Sequence, residues 1–350
     1  MQRNHGIDLL RLVSMLMVVV LHVLGHGGVL AAVPVPSWRY GLCWALEAAA
    51  FCAVDCYAMI SGYVGTGKTF RPSGIVLLWL RVVFYTLLIT TVALVAAPGS
   101  VGLRQYLNAV FPVMTKQYWY VTAYFCVFFF MPTLDAGVEK LPKRAMAAAL
   151  IVLTALLTVL PFIFGSDPFG TGSGYSAFWL AYLYLLGAYF RKYGSLEKLR
   201  GIKAAAGFVL CTAVTLAFKL LDGVLPFDGG MLCSYTSLSV LAASVCLLGL
   251  FSGLRVKPGF GKVITFIAPT ALSVYLIHAH PIVWTRVLGG LFTPLAELPA
   301  PLCALAVLGC ALAVLAVCCA FDLLREGLFR LLRLKERLRA LDAKLLKEDS

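Results

Sequence analysis

Residues 7–29 read IDLLRLVSMLMVVVLHVLGHGGV. A bilayer's hydrocarbon core takes about 20 helical residues, and this run is long enough to cross one. Its apolar residues are contiguous rather than alternating, which fits a helix and not a barrel strand. Runs of similar size recur at 40–64, 74–97, 118–134, 145–164, 175–190, 204–221, 234–252, 263–285 and 300–321, with 175–190 the weakest. The expected fold is therefore all-α: a polytopic membrane helix bundle of about ten transmembrane helices.

Composition agrees. Of the 350 residues 61% are hydrophobic and 13% charged, and the mean hydropathy is +0.91. A soluble domain needs about twice that charge to cover its surface. A soluble globule, a disordered chain and a fibrous repeat are thereby excluded. The 11 cysteines lie almost all inside apolar runs and are read as small core residues, with neither disulfide nor zinc spacing.

The net charge of +13 points either to nucleic acid or to membrane topology. Ten spans put both termini on one side. With that side cytoplasmic, 23 of the 29 basic residues fall inside, in the N-terminal stretch, the even-numbered loops and the tail. Five fall outside: Arg39, Arg104, Lys116, Lys219 and Arg286; Arg81 lies within a span. That is the sorting of the positive-inside rule, and nucleic acid is not required. Trp38, Tyr40 and Trp44, then Tyr118, Trp119 and Tyr120, and finally Trp284 mark outer interfaces, the depth these side chains prefer. Asp8, Arg11 and His22 interrupt the first run and argue against a cleaved signal peptide. Beyond 321, Leu324, Leu328, Leu331, Leu334, Leu338, Leu341 and Leu345 recur every three or four residues. They predict a basic amphipathic helix in residues 322–350, lying on the cytoplasmic membrane surface, with a partner-binding coiled coil as the alternative. Residues 1–321 form the membrane domain.

Ionisable groups within lipid are costly and are candidate sites. They are Arg11, His22, His26, Glu47, Asp55, Arg81, His278 and His280, with Asp8 at the membrane edge and placed to pair with Arg11. Arg11 and His22 are eleven residues apart, about three turns and 16 Å of rise, so they share a helix face at different depths. Glu47 and Asp55, eight apart, are expected to share a face. His278 and His280 are expected on opposite sides of one helix, so that at most one faces the core. An i,i+4 pair, His22 and His26, is too little for a metal site. Depth sorts the charges into a basic inner mouth (Arg11, Lys68, Arg71, Arg81) and an acid/base outer half (His22, Glu47, His278). Such a mouth suits a phosphorylated anion, and a histidine near a carboxylate suits general-base work on a hydroxyl. The structural alternative is a snorkelling anchor at Arg11, ordinary loop charges at Lys68 and Arg71, a hydrogen-bonded packing residue at His22 and helix–helix hydrogen bonds at Glu47 and Asp55.

Four patterns carry a resemblance: Gly6-Ile7-Asp8-Leu9-Leu10-Arg11 running on to His22; Met59-Ile60-Ser61-Gly62-Tyr63 followed by Lys68 to Arg71; Tyr118 to Tyr124, YWYVTAY; and Ser273-Val274-Tyr275-Leu276-Ile277-His278. In this order and spacing, over residues 5–321, the chain resembles the acyltransferase-3 family of bacterial integral-membrane acyltransferases. The resemblance implies a multi-pass protein of the bacterial cytoplasmic membrane. It implies transfer of an acyl group, usually acetyl, from cytoplasmic acyl-CoA to a hydroxyl of a cell-surface polysaccharide or related envelope glycan. The donor is a substrate; no cofactor is expected to stay bound. The family's helix-one Arg and His fall on Arg11 and His22. Its Arg-x-x-Arg falls on Lys68-x-x-Arg71, where Lys replaces a bidentate fork by a point charge.

On this reading Arg11, Lys68, Arg71 and Arg81 bind the donor's phosphates, and His22 is the general base with Glu47 or His278 orienting it. Tyr118, Trp119 and Tyr120 meet the acceptor sugar. An acyl-His22 intermediate is the rival route. A transporter or flippase of a small metabolite or lipid-linked sugar is the competing function; it is disfavoured by the lack of paired Gly/Pro-broken helices in two related halves. A structural or sensory membrane protein would leave His22 without a purpose.

Overall fold

The computed structural model describes residues 3–224 and 228–345; residues 346–350 of the tail, including Lys347, lie outside them. The described residues are helical, without a strand. In chain order the main helices are α1 (His5–Leu24), α2 (Trp38–Ala50), α3 (Ala53–Gly65), α4 (Ser73–Ala96), α5 (Leu103–Val110), α6 (Trp119–Lys140) and α7 (Lys143–Phe164). They continue with α8 (Ala177–Tyr193), α9 (Gly201–Leu220), α10 (Leu238–Ser252), α11 (Pro258–Ile267), α12 (Ala271–His278), α13 (Ala300–Leu331) and α14 (Leu334–Leu345).

Eight segments are long and apolar enough to cross a membrane, each of at least 20 residues. The two other expected crossings are α8, with 17 residues, and α10, with 15. Both are packed inside the bundle, and α10 is the shorter of the two. Hydrogen bonds between segments show the alternation. At one end Asn4 Nδ2 donates to Ser252 O at 3.0 Å, Lys192 Nζ to Glu139 O at 2.9 Å, and Thr265 Oγ1 lies 3.1 Å from His5 Nδ1. At the far end Gly290 N donates to His26 O at 3.2 Å, Arg39 Nη1 to Ala296 O at 2.5 Å and Arg286 Nη2 to Ser100 O at 2.9 Å. The described parts of both termini therefore share the first end.

The hub is α1. Asn4 caps it by accepting from Gly6 N at 2.9 Å and Ile7 N at 3.2 Å, the role its short side chain fills well. It touches α2, α3, α10, α11, α12 and α13, so its ionisable residues face protein rather than lipid. The tightest neighbouring pair is α3 on α8. A Cβ on Gly62 would lie 1.9 Å from Tyr184 O, and one on Gly187 would lie 2.1 Å from Met59 O. Membrane helices approach this closely only through small residues. Gly62→Ala and Gly187→Ala are each expected to destabilise by about 1–3 kcal/mol, the usual cost of overpacking. Gly309→Ala, in α13 with open space around it, should cost nothing. Thermal unfolding of the three variants in detergent checks this.

Helix continuity bears on two sequence expectations, and one of them fails. The second span is interrupted at Phe51 and Cys52, both of which stay right-handed. Glu47 and Asp55 meet different partners: Asp55 accepts from Trp179 Nε1 at 3.0 Å, while Glu47 faces a far-end cavity. Likewise α12 stops at His278, and Pro281 starts a new turn. His278 and His280 are thus both buried, at 2% and 1% exposure; His280 Nδ1 accepts from Ile282 N at 3.2 Å.

Candidate active site

Cavities run from one end of the bundle to the other, linked by shared walls. At the N-terminal end a cavity of about 330 Å³ is lined by Arg3, Asp8, Arg11, Tyr63, Lys68 and Arg191 among others. Arg11 also lines a central cavity of about 430 Å³ with Tyr57, Ser61, Arg81, Tyr120 and Tyr124. Tyr57, Tyr120 and Leu272 connect that space to a narrow one of about 40 Å³, which His22 lines with Trp119, Tyr235 and Tyr275. These last four then open onto a far-end vestibule of about 560 Å³ containing Glu47, His26, Lys116, Gln117, Tyr175 and Trp284. Arg11 and His22 thus stand along one route, as their spacing on an unbroken helix predicts.

The histidine geometry fixes a tautomer through its partners. His278 Nδ1 is 2.6 Å from Val274 O, which can only accept, so this nitrogen carries a proton. In the neutral ring His278 Nε2 is then an acceptor. His22 Nδ1 lies 2.8 Å from it and must donate. The lone pair of His22 Nε2 is left available. Trp284 meets the His22 ring edge-on at 4.6 Å between centroids and stacks on His26 at 3.9 Å. His26 Nε2 is 2.8 Å from Trp284 O, so His26 braces the wall.

Charge gathers at the N-terminal end. Asp8 binds Arg3 Nε at 2.5 Å and Arg11 Nη1 at 3.3 Å, which realises the expected Asp8–Arg11 pair. Lys68, in the loop after α3, has its pKa lowered by partial burial and then by the Arg11 guanidinium. A cation so placed favours an arriving anion. Arg81 donates to Pro269 O at 3.1 Å and reaches the central cavity. Arg71 is exposed and lines none of these spaces.

Of the aromatic trio, Trp119 faces both the narrow space and the vestibule, and Tyr120 faces the central and narrow spaces. Tyr118 donates to Leu276 O at 2.7 Å and is buried between helices. Buried Tyr120 Oη and Glu47 Oε2 hydrogen-bond to no protein group. The sequence reading missed Tyr57, Tyr175 and Tyr235. Tyr175 and Tyr235 join Trp119 in a cluster, with centroids 4.5 Å and 6.2 Å from its ring and 5.1 Å from each other. They come from loops far apart in sequence; aromatic residues next to far-end span boundaries were the available signal.

A polytopic helix bundle holding a hydrogen-bonded histidine pair between two cavities is the class these features define. Over residues 4–322 the sequence matches the family model described as an acyltransferase domain, and the chain belongs to this acyltransferase-3 family. It is a multi-pass membrane acyltransferase. No curated protein and no solved structure matches it.

Proposed function

We propose that the chain moves an acyl group, most simply acetyl, from acyl-CoA to a hydroxyl of an envelope glycan at the bacterial cytoplasmic membrane. The observation that carries this reading is His22, with a free Nε2 lone pair, at the narrow join between a cation-lined and an aromatic-lined cavity. The donor enters from the N-terminal end, taken as cytoplasmic from the basic residues there. Arg11, Lys68 and Arg81 face its phosphates, with Arg71 peripheral, and the thioester reaches toward His22. The acceptor enters the vestibule, where Trp119, Tyr175 and Tyr235 offer faces to a sugar ring and buried Glu47 offers an unengaged oxygen.

The chemistry balances without a cofactor. His22 Nε2 takes the proton of the acceptor hydroxyl as its oxygen attacks the thioester carbonyl. The resulting oxyanion can accept from Tyr120 Oη. The C–S bond breaks, and the proton passes from His22 to the departing thiolate, giving an ester and a free thiol. Imidazolium formation is supported by the relay His22 Nδ1–H to His278 Nε2, with His278 Nδ1–H on Val274 O.

Purified protein with acetyl-CoA should release thiol when envelope polysaccharide is added, and the polysaccharide should gain an ester by mass spectrometry. No release with any envelope fraction would overturn the reading.

A further inference from the structure

The segment after the family domain does not lie apart from the bundle. Helix α13 passes through residue 321 without a break and ends at Leu331. Arg333 turns the chain with φ +50°, a left-handed conformation that non-glycine residues rarely hold without a structural or functional reason. Helix α14 then folds back against α4. Asp342 Oδ1 accepts from Ser73 N at 2.9 Å, and its other oxygen accepts from the Ser73 hydroxyl. More than one helical turn before the bend, Arg325 donates to Asp322 at 2.6 Å within α13.

Between this hairpin and α4 lies a cavity of about 630 Å³. Arg81, Arg333, Lys335 and Arg339 line it, and among the described residues none of them pairs with a carboxylate. Of its two carboxylates, Glu326 is engaged by Arg325 at 3.0 Å and faces Arg330 at 3.6 Å; Glu336 remains. Arg81 and Pro269 form a wall common to this cavity and the central one. By contrast, the smaller N-terminal cavity has Arg3 and Arg11 already paired with Asp8.

We propose that this tail-lined cavity binds the nucleotide end of the donor, holding its 3′-phosphate on Arg333, Arg339 and Lys335, while the diphosphate passes Arg81 toward Arg11, whose N-terminal cavity Lys68 shares. The pantetheine arm runs past Pro269 into the central cavity toward His22. Arginine forks suit phosphate oxygens, and several charge-assisted bonds at once give both hold and register. The inference rests on the acyl-CoA reading above, and its test is separable from it.

The probe is adenosine 3′,5′-bisphosphate, titrated calorimetrically into the full chain in neutral detergent. The double variant Arg333→Gln/Arg339→Gln removes two exposed cations. It should bind the bisphosphate at least about tenfold more weakly, since each lost charge-assisted bond has that order of effect. A control, Lys143→Gln/Arg144→Gln, removes the same charge elsewhere at this end and should bind like the parent. Equal affinity of the double variant and the parent would overturn the proposal. So would stabilisation by phosphatidylglycerol nanodiscs, lost in the double variant, without bisphosphate binding, because the ligand is then a lipid headgroup. Should the parent bind the bisphosphate through these residues yet never turn over acetyl-CoA, the cavity assignment stands and the acyltransfer reading for this donor fails.

Discussion

His22→Ala is expected to cut acyl transfer about a thousandfold while the bundle stays folded, the middle of the range for losing a positioned general base. The residue is partly buried and lines two cavities, so its truncation enlarges existing space rather than opening a new hole. The loss should fall on kcat, because no phosphate contact is involved. His278→Phe removes the acceptor that keeps the proton on His22 Nδ1. Either nitrogen of His22 can then carry the proton, and a smaller loss, about ten- to a hundredfold, is expected. Stopped-flow measurement of thiol release from acetyl-CoA reads both. A His22→Ala protein that still esterifies glycan at the parent rate would remove this residue from the chemistry.

Asp322→Ala is the substitution expected to damage folding most. The carboxylate is buried, accepting from Tyr85 Oη at 2.7 Å, Arg325 Nε at 2.6 Å and Arg325 Nη2 at 3.0 Å. The Arg325 side chain is 2% exposed. Its remaining partner, Glu326, is itself 30% exposed. Removing Asp322 leaves a buried guanidinium short of countercharge and a tyrosine hydroxyl without its acceptor. The cost of breaking such a pair is about 3–5 kcal/mol. Replacing both members, as Asp322→Leu/Arg325→Met, takes away the uncompensated charge along with the pair and should recover most of the loss. Unfolding followed by intrinsic fluorescence in detergent separates the two; a double variant no better than the single would show that the pair's charges are not what matters.

How much of this was legible beforehand follows from helix continuity. The relation of Arg11 to His22 could be read because α1 is unbroken between them, and 3.6 residues per turn carries over three turns without drift. Glu47 and Asp55 meet different partners, a far-end cavity and the Trp179 indole, which spacing along one span does not announce. The His22–His278 contact joins residues 256 positions apart, and periodicity within one helix says nothing of its partner's rotation. The apolar spacing of the tail gave its helical character. Its fold back onto Ser73 depends on one residue in an unusual conformation, Arg333, which no pattern of hydrophobic residues announces.

The narrowing beside His22 has an electrical meaning. In a membrane that holds a potential, cavities that fill with water from both ends would carry each surface's voltage inward. The whole drop is then compressed into the thin dry layer at about 40 Å³ of free space. Moving one elementary charge through that layer involves about 2.3 kcal/mol per 100 mV. On the proposed reading a neutral acyl group would cross it with no electrical work, so that transfer would proceed at any membrane voltage. On the same reading a charged donor would stay on its own side of the insulator, with the two compartments separated while a covalent bond is exchanged between them.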